Sequence, residues 1–326
     1  MRRLFLIILV VAGLALGGPW WRSPISETDL SEKLVLTRLD IPEGKIGPAR
    51  FIGAWELESP DTRFGGYSAL IRLDDGCFLA GSDRGSILRF SPPGTAGCRV
   101  RFGRFAQSNE FDKRLSDLES LTRDPESGRI WAGYEFTNAI VRYEPDLERF
   151  EDVYPAEMRD WADNGGPESI LRLSDGRFIV ISEVDAGWTE NSTPGLLYPS
   201  DPVDGAQPMA FRFHRPDEFR PVDMAQLPDA RVLVLMRKVI WGLPPGFASR
   251  LLVADPADIR EGGEWRGEQL LEISGAVPPE NYEGLSVEPL PDGSVRIWLI
   301  SDDNTSQFQR SLLLQLEWNP REKARG

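Results

Sequence analysis

Residue types that several enzyme classes depend on are scarce in this chain of 326 residues, which has one histidine and two cysteines. A closed zinc site of cysteine and histidine ligands needs about four such side chains, so the composition argues against one. His214 has no recognisable partner and no Gly-x-Ser-x-Gly motif is present, which argues against a Ser-His hydrolase. The glycine patterns of nucleotide-binding loops are also missing, so no nucleotide cofactor is expected.

Basic residues are outnumbered, with 37 Lys and Arg against 51 Asp and Glu, and the net charge is −14. This balance speaks against nucleic acid and anionic membrane surfaces as partners, and it is compatible with bound cations. We expect a monomer that acts on a small molecule and that has no membrane contact beyond its N-terminal segment.

Long apolar runs are confined to the N-terminus. Residues 1–3 are Met-Arg-Arg, residues 4–16 are apolar, and small residues follow at 17–18. A short basic region, an apolar run and then small residues describe an export signal, and the run is short for a membrane span. We predict a signal peptide over residues 1–18, with a retained anchor as the alternative, and a linker over 19–33. The protein is then expected in the periplasm or outside the cell.

In place of helical periodicity, the chain repeats one unit of two short apolar strands joined by a turn. A polar lead residue precedes the first strand, and another polar residue ends the second strand. The lead residues are separated by 51, 49, 55 and 60 positions, and they are Ser68, Glu119, Glu168, Asp223 and Glu283. A period near 50 residues with two or more strands per unit is typical of a β-propeller.

The repeat predicts an all-β fold, with a propeller domain over residues 34–318 and a charged tail over 319–326. Strands predicted at 35–39 and 51–56 would supply outer strands of the last blade and close the ring, so that no sheet edge stays open. Five repeats are visible. We predict six blades, the sixth being either a further blade or one assembled from the two termini.

The cysteines, Cys77 and Cys98, fall at the starts of the predicted second and fourth strands of the first repeat. An exported chain can oxidise them. In an ideal sheet, however, the strand between them would hold their Cα atoms roughly twice the ~4.8 Å strand spacing apart, which is beyond disulfide reach. The sequence therefore leaves this disulfide open.

The acidic residues of the repeat should meet at one end of the propeller. A tight turn between antiparallel strands brings the start of the first and the end of the second to the same end. Because the innermost strands surround the channel, we predict an acidic mouth. Its inner ring would be Glu119, Glu168, Asp223 and Glu283, and its outer set Asp83, Glu135, Glu183 and Asp302.

So many carboxylates need compensation, because like charges within ~6 Å raise pKa values. A hard divalent cation is the simplest solution, and all eight acids are candidate ligands for it. Calcium takes about six to eight oxygen ligands and therefore fits this set better than magnesium or manganese does. Basic side chains are the other solution: Arg237, Lys238 and Arg84 would pair with carboxylates or hold a substrate oxygen. A structural role stays open, in which acids at strand ends accept backbone hydrogen bonds from a neighbouring blade.

Short motifs stand in a fixed order at the strand starts and ends of the repeats. They are GGYSAL at 65–70 with SD at 82–83, DLESL at 117–121, RPVD at 220–223 with LMR at 235–237, NYEGL at 281–285, and SDDN at 301–304 with FQR at 308–310. Over residues 47–318 the chain resembles the bacterial phytase-like family, which is described by esterase-like activity of the phytase type.

The resemblance implies an exported propeller in which clustered calcium ions hold phosphate and activate water. It implies catalytic roles for Glu119, Glu283 and Asp302, a metal or acid–base role for Asp223, and phosphate binding by Arg237. Two hypotheses follow. The first is a calcium-dependent phosphoric ester hydrolase acting on a small, phosphorylated substrate. The second is a non-catalytic exported propeller that binds a ligand or protein at the acidic mouth, which the fold alone would equally allow.

Overall fold

The computed structural model describes residues 28–105, 117–162, 165–183, 191–242, 246–304, 306 and 308–321. The predicted signal peptide, residues 19–27 of the predicted linker and residues 322–326 of the predicted tail lie outside these ranges. The rest of the predicted linker contacts the propeller, since Thr62 N–H donates to the Asp29 carbonyl at 2.9 Å.

Strands make up almost all of the regular structure in the described residues. The first eleven are β1 (Val35–Arg38), β2 (Gly44–Ile46), β3 (Ala49–Glu58), β4 (Tyr67–Arg72), β5 (Phe78–Ser82), β6 (Ser86–Phe90), β7 (Arg101–Arg104), β8 (Leu118–Arg123), β9 (Ile130–Tyr134), β10 (Ala139–Tyr143) and β11 (Phe150–Val153). The others are β12 (Ser169–Arg172), β13 (Phe178–Ile181), β14 (Ser192–Tyr198), β15 (Met209–His214), β16 (Arg220–Gln226), β17 (Val232–Ile240), β18 (Gly246–Ala254), β19 (Glu264–Trp265), β20 (Glu268–Glu272), β21 (Tyr282–Pro289), β22 (Val295–Ser301) and β23 (Leu312–Trp318).

Helical structure in these same ranges amounts to single 3-10 turns. They lie at Ala156–Met158, Pro202–Asp204, Pro216–Glu218 and Pro256–Asp258. Among the described residues there is accordingly no helix with the length and apolar character that a membrane span requires.

The strands form the five blades of a β-propeller, which confirms the predicted fold class. Blade one is β4–β7 and blade two is β8–β11, while blade three is β12–β15 with β19 added in parallel to β15. Blade four is β16, β17, β18 and β20, and blade five is β21, β22, β23, β3 and β1, with β2 paired to β3. The innermost strands β4, β8, β12, β16 and β21 contact one another in a closed ring.

The predicted count of six blades was wrong, because the N-terminal strands complete blade five instead of forming a blade of their own. Strand β3 pairs with β23, with Ala54 opposite Leu314, and β1 pairs with β3. Both N-terminal strands therefore occupy outer positions, and neither can serve as a sixth innermost strand. Closure of the ring by N-terminal strands is confirmed.

Blade strands are apolar on both faces because each sheet packs between two others. Residues 232–236 of β17 and all of β13 are buried. The core thus runs around the ring as layers between blades. In the layer between blades four and five, Leu233 and Leu235 pack in one cluster with Leu285 and Leu299.

The turns between first and second strands lie at the end opposite the strand starts, and they use a residue with left-handed backbone. Gly76, Gly176 and Gly293 fill this place with φ values of 82°, 90° and 85°, whereas blade four uses Ala230 at φ 71°. Because a side chain is crowded in this conformation, a non-glycine residue there costs roughly 1 kcal/mol.

Cys77 and Cys98 form a disulfide, with their Cα atoms 5.7 Å apart. The ideal-sheet argument against this bond fails because Cys98 precedes β7 and lies in the loop that follows β6. In that loop the Cys98 N–H donates to Ser91 Oγ at 3.1 Å. Strand spacing therefore does not govern the distance between the two cysteines.

Candidate functional site

The lead residues of three blades lie at β-bulges at the start of the innermost strand. In blades one, two and five the pairing of the first two strands shifts register so that Ser68, Glu119 and Glu283 have no Cα partner across the ladder. A bulge of this kind re-aims the side chain of the extra residue. Glu119 and Glu283 come from different blades, and their carboxyl groups are near enough for Glu283 to raise the pKa of Glu119.

The residue that follows the second strand is held at the same end by its backbone. In three blades its N–H donates at 2.9 Å to the carbonyl of the residue two positions before the lead residue. The pairs are Asp83 with Gly66, Glu135 with Asp117, and Asp302 with Asn281. Strand starts and strand ends therefore share one mouth of the channel, and their acids form two rings around it.

Asp223 departs from this arrangement because the bulge in blade four falls one residue earlier, at Val222. Asp223 consequently lies within the ladder, opposite Leu235, and is 1% exposed. Its Oδ1 accepts from Met224 N–H at 2.8 Å and its Oδ2 from Leu285 N–H at 2.6 Å. Burial raises the pKa of Asp223 while both N–H groups lower it. Asp223 thus joins the innermost strands of blades four and five.

Three carboxylates of blade two form a close group at the mouth. One oxygen each of Asp117, Glu119 and Glu135 lies within 4.8 Å of the others. Oxygens about 2.3–2.6 Å from a calcium ion are at most roughly 5 Å apart, so a single ion fits this spacing. Asp117 is buried, whereas Glu119 and Glu135 are partly exposed, so the group is accessible to solvent.

The carboxyl groups of the inner ring hold protons more tightly than carboxyl groups in water. Burial, then Glu283 and Glu135, raise the pKa of Glu119 well above its usual value. Glu168 is 6% exposed, and burial followed by Glu119 raises its pKa in the same way, against the opposing charge of Arg237. A divalent cation among these groups would relieve the repulsion that raises both pKa values.

Asp83 and Asp302 occupy the outer ring on neighbouring blades, and the pKa values of both are raised. Burial raises the pKa of Asp83 to about 6, with Arg84 opposing and Glu283 adding to the rise. Burial, then Glu283 and Asp83, raise the pKa of Asp302 well above its usual value. Asp302 Oδ1 accepts from Asn304 N–H at 2.7 Å, which fixes its orientation. Carboxyl groups tuned in this way suit proton transfer near neutral pH.

Glu183 and Glu283 are compensated by Arg237, the basic residue that replaces an acid in repeat four. Arg237 Nη2 lies 2.7 Å from Glu183 Oε1, and Nη1 forms an ion pair with Glu283. Asn281 Nδ2 donates to Glu283 Oε1 at 2.8 Å, and Arg220 Nη1 lies 3.1 Å from Glu183 Oε2. Of the two roles expected for Arg237, the structure thus gives it the pairing with carboxylates.

Arg84 lies at the edge of the mouth. Its Nη2 donates to the carbonyls of Phe64 and Gly65, and its Nε lies 4.0 Å from Asp83 Oδ1. The side chain is 37% exposed. Arg84 is therefore a partly exposed cation beside one of the acids with a raised pKa.

Lys238 is not brought together with the acids of the mouth. It follows Arg237 in β17, so the two side chains point to opposite faces of the sheet. Lys238 Nζ donates to the Asp217 carbonyl at 3.0 Å and lies 3.2 Å from Glu218 Oε2.

Asp117 and Asn281 are residues of the mouth that the sequence reasoning did not single out. Each stands two positions before a lead acid, in the motifs DLE and NYE. Asp117 joins the acidic group of blade two, and Asn281 binds Glu283. The shared polar character two positions before the lead residue was the available signal.

The chain matches one protein family over most of its length. The family description is Phytase-like, esterase-like activity of phytase, and the match covers residues 62–305. This range contains every residue of the mouth described above. A comparison with curated protein sequences finds no match.

Solved structures with similar architecture are distant in sequence. A hydrazine synthase of Kuenenia stuttgartiensis is 12% identical, with 74% of this chain and 58% of that chain covered and a TM-score of 0.40. A chain of a nidogen/laminin complex is 10% identical, with coverage of 88% and 93% and a TM-score of 0.45. The allergen Mala s 1 of Malassezia sympodialis is 10% identical, with coverage of 87% and 92% and a TM-score of 0.46. The chain spans 58% of the hydrazine synthase chain, and no functional argument rests on these three.

Proposed function

This chain belongs to the Phytase-like family, described by esterase-like activity of phytase, and from that premise we propose that it is a calcium-dependent phosphoric ester hydrolase. Its active site is the acidic mouth of the propeller, and its substrate is a small phosphorylated molecule. The proposal combines the family's coarse activity with the chemistry that the residues of the mouth can perform.

The observation that carries the proposal is the group of Asp117, Glu119 and Glu135, whose oxygens lie within 4.8 Å of one another. The donors are all carboxylate oxygens, which favour hard cations such as calcium over zinc or copper. The raised pKa of Glu119 supports the same assignment, because burial and then the neighbouring carboxylates disfavour its ionised form. These three residues would hold the ion, and Glu168 would neighbour it.

A bound calcium ion would polarise a phosphoryl oxygen and lower the pKa of a water molecule at the site. Asp83, which is ionised above about pH 6, accepts the proton of the attacking water as general base. Asp302 keeps its proton to higher pH than an ordinary aspartic acid, and it donates that proton to the leaving oxygen as general acid. The two carboxyl groups thus take opposite roles because their surroundings separate their pKa values.

Arg237 and Arg84 have different tasks in this mechanism. Arg237 is committed to Glu183 and Glu283, so it positions Glu283 and stabilises the mouth. Arg84 has a partly exposed side chain beside Asp83, and it binds a phosphoryl oxygen of the substrate. Few of the described residues of the mouth are cations, and on that basis a substrate bearing a single phosphate is favoured over a highly phosphorylated one.

We also propose that the protein is exported and acts as a monomer outside the cytoplasm. The sequence pattern of residues 1–18 supports export. The Cys77–Cys98 disulfide supports the same compartment, since such bonds persist in oxidising environments.

Calorimetric titration of calcium into chelator-treated protein, run beside hydrolysis of p-nitrophenyl phosphate, tests this function. Glu119→Gln should weaken calcium binding at least about ten-fold and reduce turnover at least about a hundred-fold, while the melting temperature of the metal-free variant should not fall below that of the metal-free wild type. Glu126→Gln is the matched control, because Glu126 is exposed in the turn at the opposite end of the same blade. It should leave binding and turnover unchanged.

Two outcomes would count against the hydrolase. Folded protein that binds no calcium removes the metal mechanism. The non-catalytic propeller is favoured if Glu119→Gln abolishes calcium binding and the wild type hydrolyses no phosphoric ester. A protein that is pulled down by the wild type but not by Glu119→Gln would then be its partner.

A further inference from the structure

A cavity of about 440 Å³ lies between blades one and two, at the end that carries the hairpin turns and away from the acidic mouth. The turn after β4 and the turns that follow β8 and β10 contribute to its lining. Its volume falls within the range of roughly 300–1,000 Å³ that is typical of small-molecule sites. We call it the interblade cavity.

The walls of the interblade cavity are apolar. Leu73, Leu79 and Ile87 line it from blade one, and Ile130 and Leu147 from blade two. Leu79 and Ile130 are buried, with 2% and 3% of their surface exposed. Walls of this kind bind the apolar body of a ligand by removing it from water.

Arginines gather at the same cavity, although the chain as a whole is acidic. Arg89, Arg101 and Arg123 all line it, together with Asp74 and Asp75. Arg89 and Arg101 are direct partners across the β6–β7 ladder, so their side chains stand on the same face of the sheet. Like charges directly opposite each other are unfavourable, so each of the two guanidinium groups needs an anion nearby.

The present partners of these arginines are two exposed carboxylates and Glu32, whose side chain is 29% exposed. Asp75 pairs with Arg89 and is 50% exposed, and Asp74 pairs with Arg123 and is 61% exposed. Arg101 lies 3.0 Å from Glu32, and its side chain is 51% exposed. Ion pairs at this exposure are weak, so a ligand anion can exchange with them or share the guanidinium groups.

We propose that the interblade cavity binds a small amphipathic carboxylate. The apolar body of the ligand packs against Leu79, Ile87 and Ile130, and its carboxylate accepts hydrogen bonds from Arg89 and Arg101. A neutral molecule of the same shape should bind more weakly because it has no carboxylate for the arginines, and a short carboxylate should bind more weakly because it has no apolar body. The site is separate from the acidic mouth and does not depend on the function proposed there.

Calorimetric titration of octanoate into the full chain tests this site, with octanamide and acetate as the neutral and the short control ligands. We expect one saturable site for octanoate, affinity at least about ten-fold lower for octanamide, and no saturation with acetate. Arg89→Gln and Arg101→Gln should each weaken octanoate binding about ten-fold.

Arg177→Gln is the matched control variant. Arg177 lies 2.7 Å from Asp175 in the corresponding turn of blade three, at the same end of the propeller but outside the lining of the interblade cavity. Its octanoate affinity should equal that of the wild type. Gly103→Val is a second test variant, which changes the shape of the cavity and keeps every charge. A Cβ at Gly103 meets Ile87 Cδ1 at 3.2 Å, so the larger side chain should narrow the cavity.

The proposal is overturned if octanoate shows no saturable binding, or if octanamide binds as tightly as octanoate. It is also overturned if Arg177→Gln weakens binding as much as Arg89→Gln does. Calcium titration of the same variants should be unchanged, so failure at this cavity is distinguishable from failure at the mouth.

Discussion

Arg237 and Glu183 are joined across the boundary between blades four and three, with Nη2 of the guanidinium 2.7 Å from Oε1 of the carboxylate. Glu183 is 5% exposed, and the same guanidinium also pairs with Glu283 of blade five. One cation therefore holds the ends of three blades together at the acidic mouth.

Replacing Arg237 by Met should lower the free energy of unfolding by about 3–5 kcal/mol, because two buried carboxylates lose their cation. Arg220→Gln is the comparison, since Arg220 is 37% exposed and reaches Glu183 from the side at 3.1 Å. It should lose less than about 1 kcal/mol. Urea denaturation at neutral pH measures the free energy of unfolding of both variants. An equal decrease in the two would contradict the central position of Arg237.

The melting temperature of metal-free protein should rise as the pH is lowered from about 8 to about 5. The pKa values of Glu119, Glu168 and Asp302 are raised in the folded protein. A raised pKa contributes stability that is complete below the unfolded value and is lost as the pH rises through the folded value. Scanning calorimetry of chelator-treated protein at several pH values measures the trend.

Two controls accompany that pH series. Glu119→Gln with Glu168→Gln should flatten the dependence, because neither amide titrates. Calcium added near pH 8 should raise the melting temperature of the wild type more than that of the double variant. A melting temperature that falls steadily between about pH 8 and about pH 5 would contradict the prediction.

The ester hydrolysis that we propose should depend on an ionised Asp83. Its pKa in the folded protein is about 6, so kcat/KM should increase as the pH rises through that value and should fall again at the higher pH where Asp302 loses its proton. A bound cation favours the ionised carboxylate, and the acidic limb in calcium-loaded enzyme should therefore lie at or below about pH 6. Asp83→Asn should remove this limb together with most of the activity. An unchanged profile in that variant would exclude Asp83 as the base.

Ala230→Gly should stabilise the protein by about 0.5 kcal/mol, because Ala230 has a φ of 71° in the turn of blade four. Glycine relieves the crowding of the side chain, and part of the gain is lost to greater freedom of the unfolded chain. The reverse change, Gly76→Ala at a φ of 82°, should destabilise by roughly 1 kcal/mol. Urea denaturation of both variants measures the pair, and equal signs would refute the argument.

The sequence allowed most of the acidic mouth to be anticipated, because hairpin geometry places strand starts and strand ends together whatever the side chains are. Glu119, Glu283, Asp83 and Asp302 could be placed on that basis. Asp223 occupies the same position in its repeat, yet the bulge in blade four lies at Val222. A shift of one residue in register moves a side chain to the other face, and local composition does not encode it.

The disulfide and the blade count were beyond the sequence for related reasons. Whether Cys77 reaches Cys98 depends on the path of the loop before β7. Whether residues 35–58 form a blade of their own or complete another blade depends on the pairing of β3 with β23. Both the disulfide and the β3–β23 pairing are contacts between separate segments of the chain. The spacing of these segments in the sequence is compatible with more than one arrangement.

What the sequence determined by itself was the repeating unit, and with it an all-β propeller closed by its N-terminal strands. Apolar strands that alternate with turns at a period near 50 residues must bury both faces of every sheet, and stacking the sheets around an axis does so. Only the tertiary structure decided which carboxylates meet. The bulges at Glu119 and Glu283 depend on the register between the first two strands of a blade, and the reach of Arg237 to Glu183 depends on how blades three and four lie against each other.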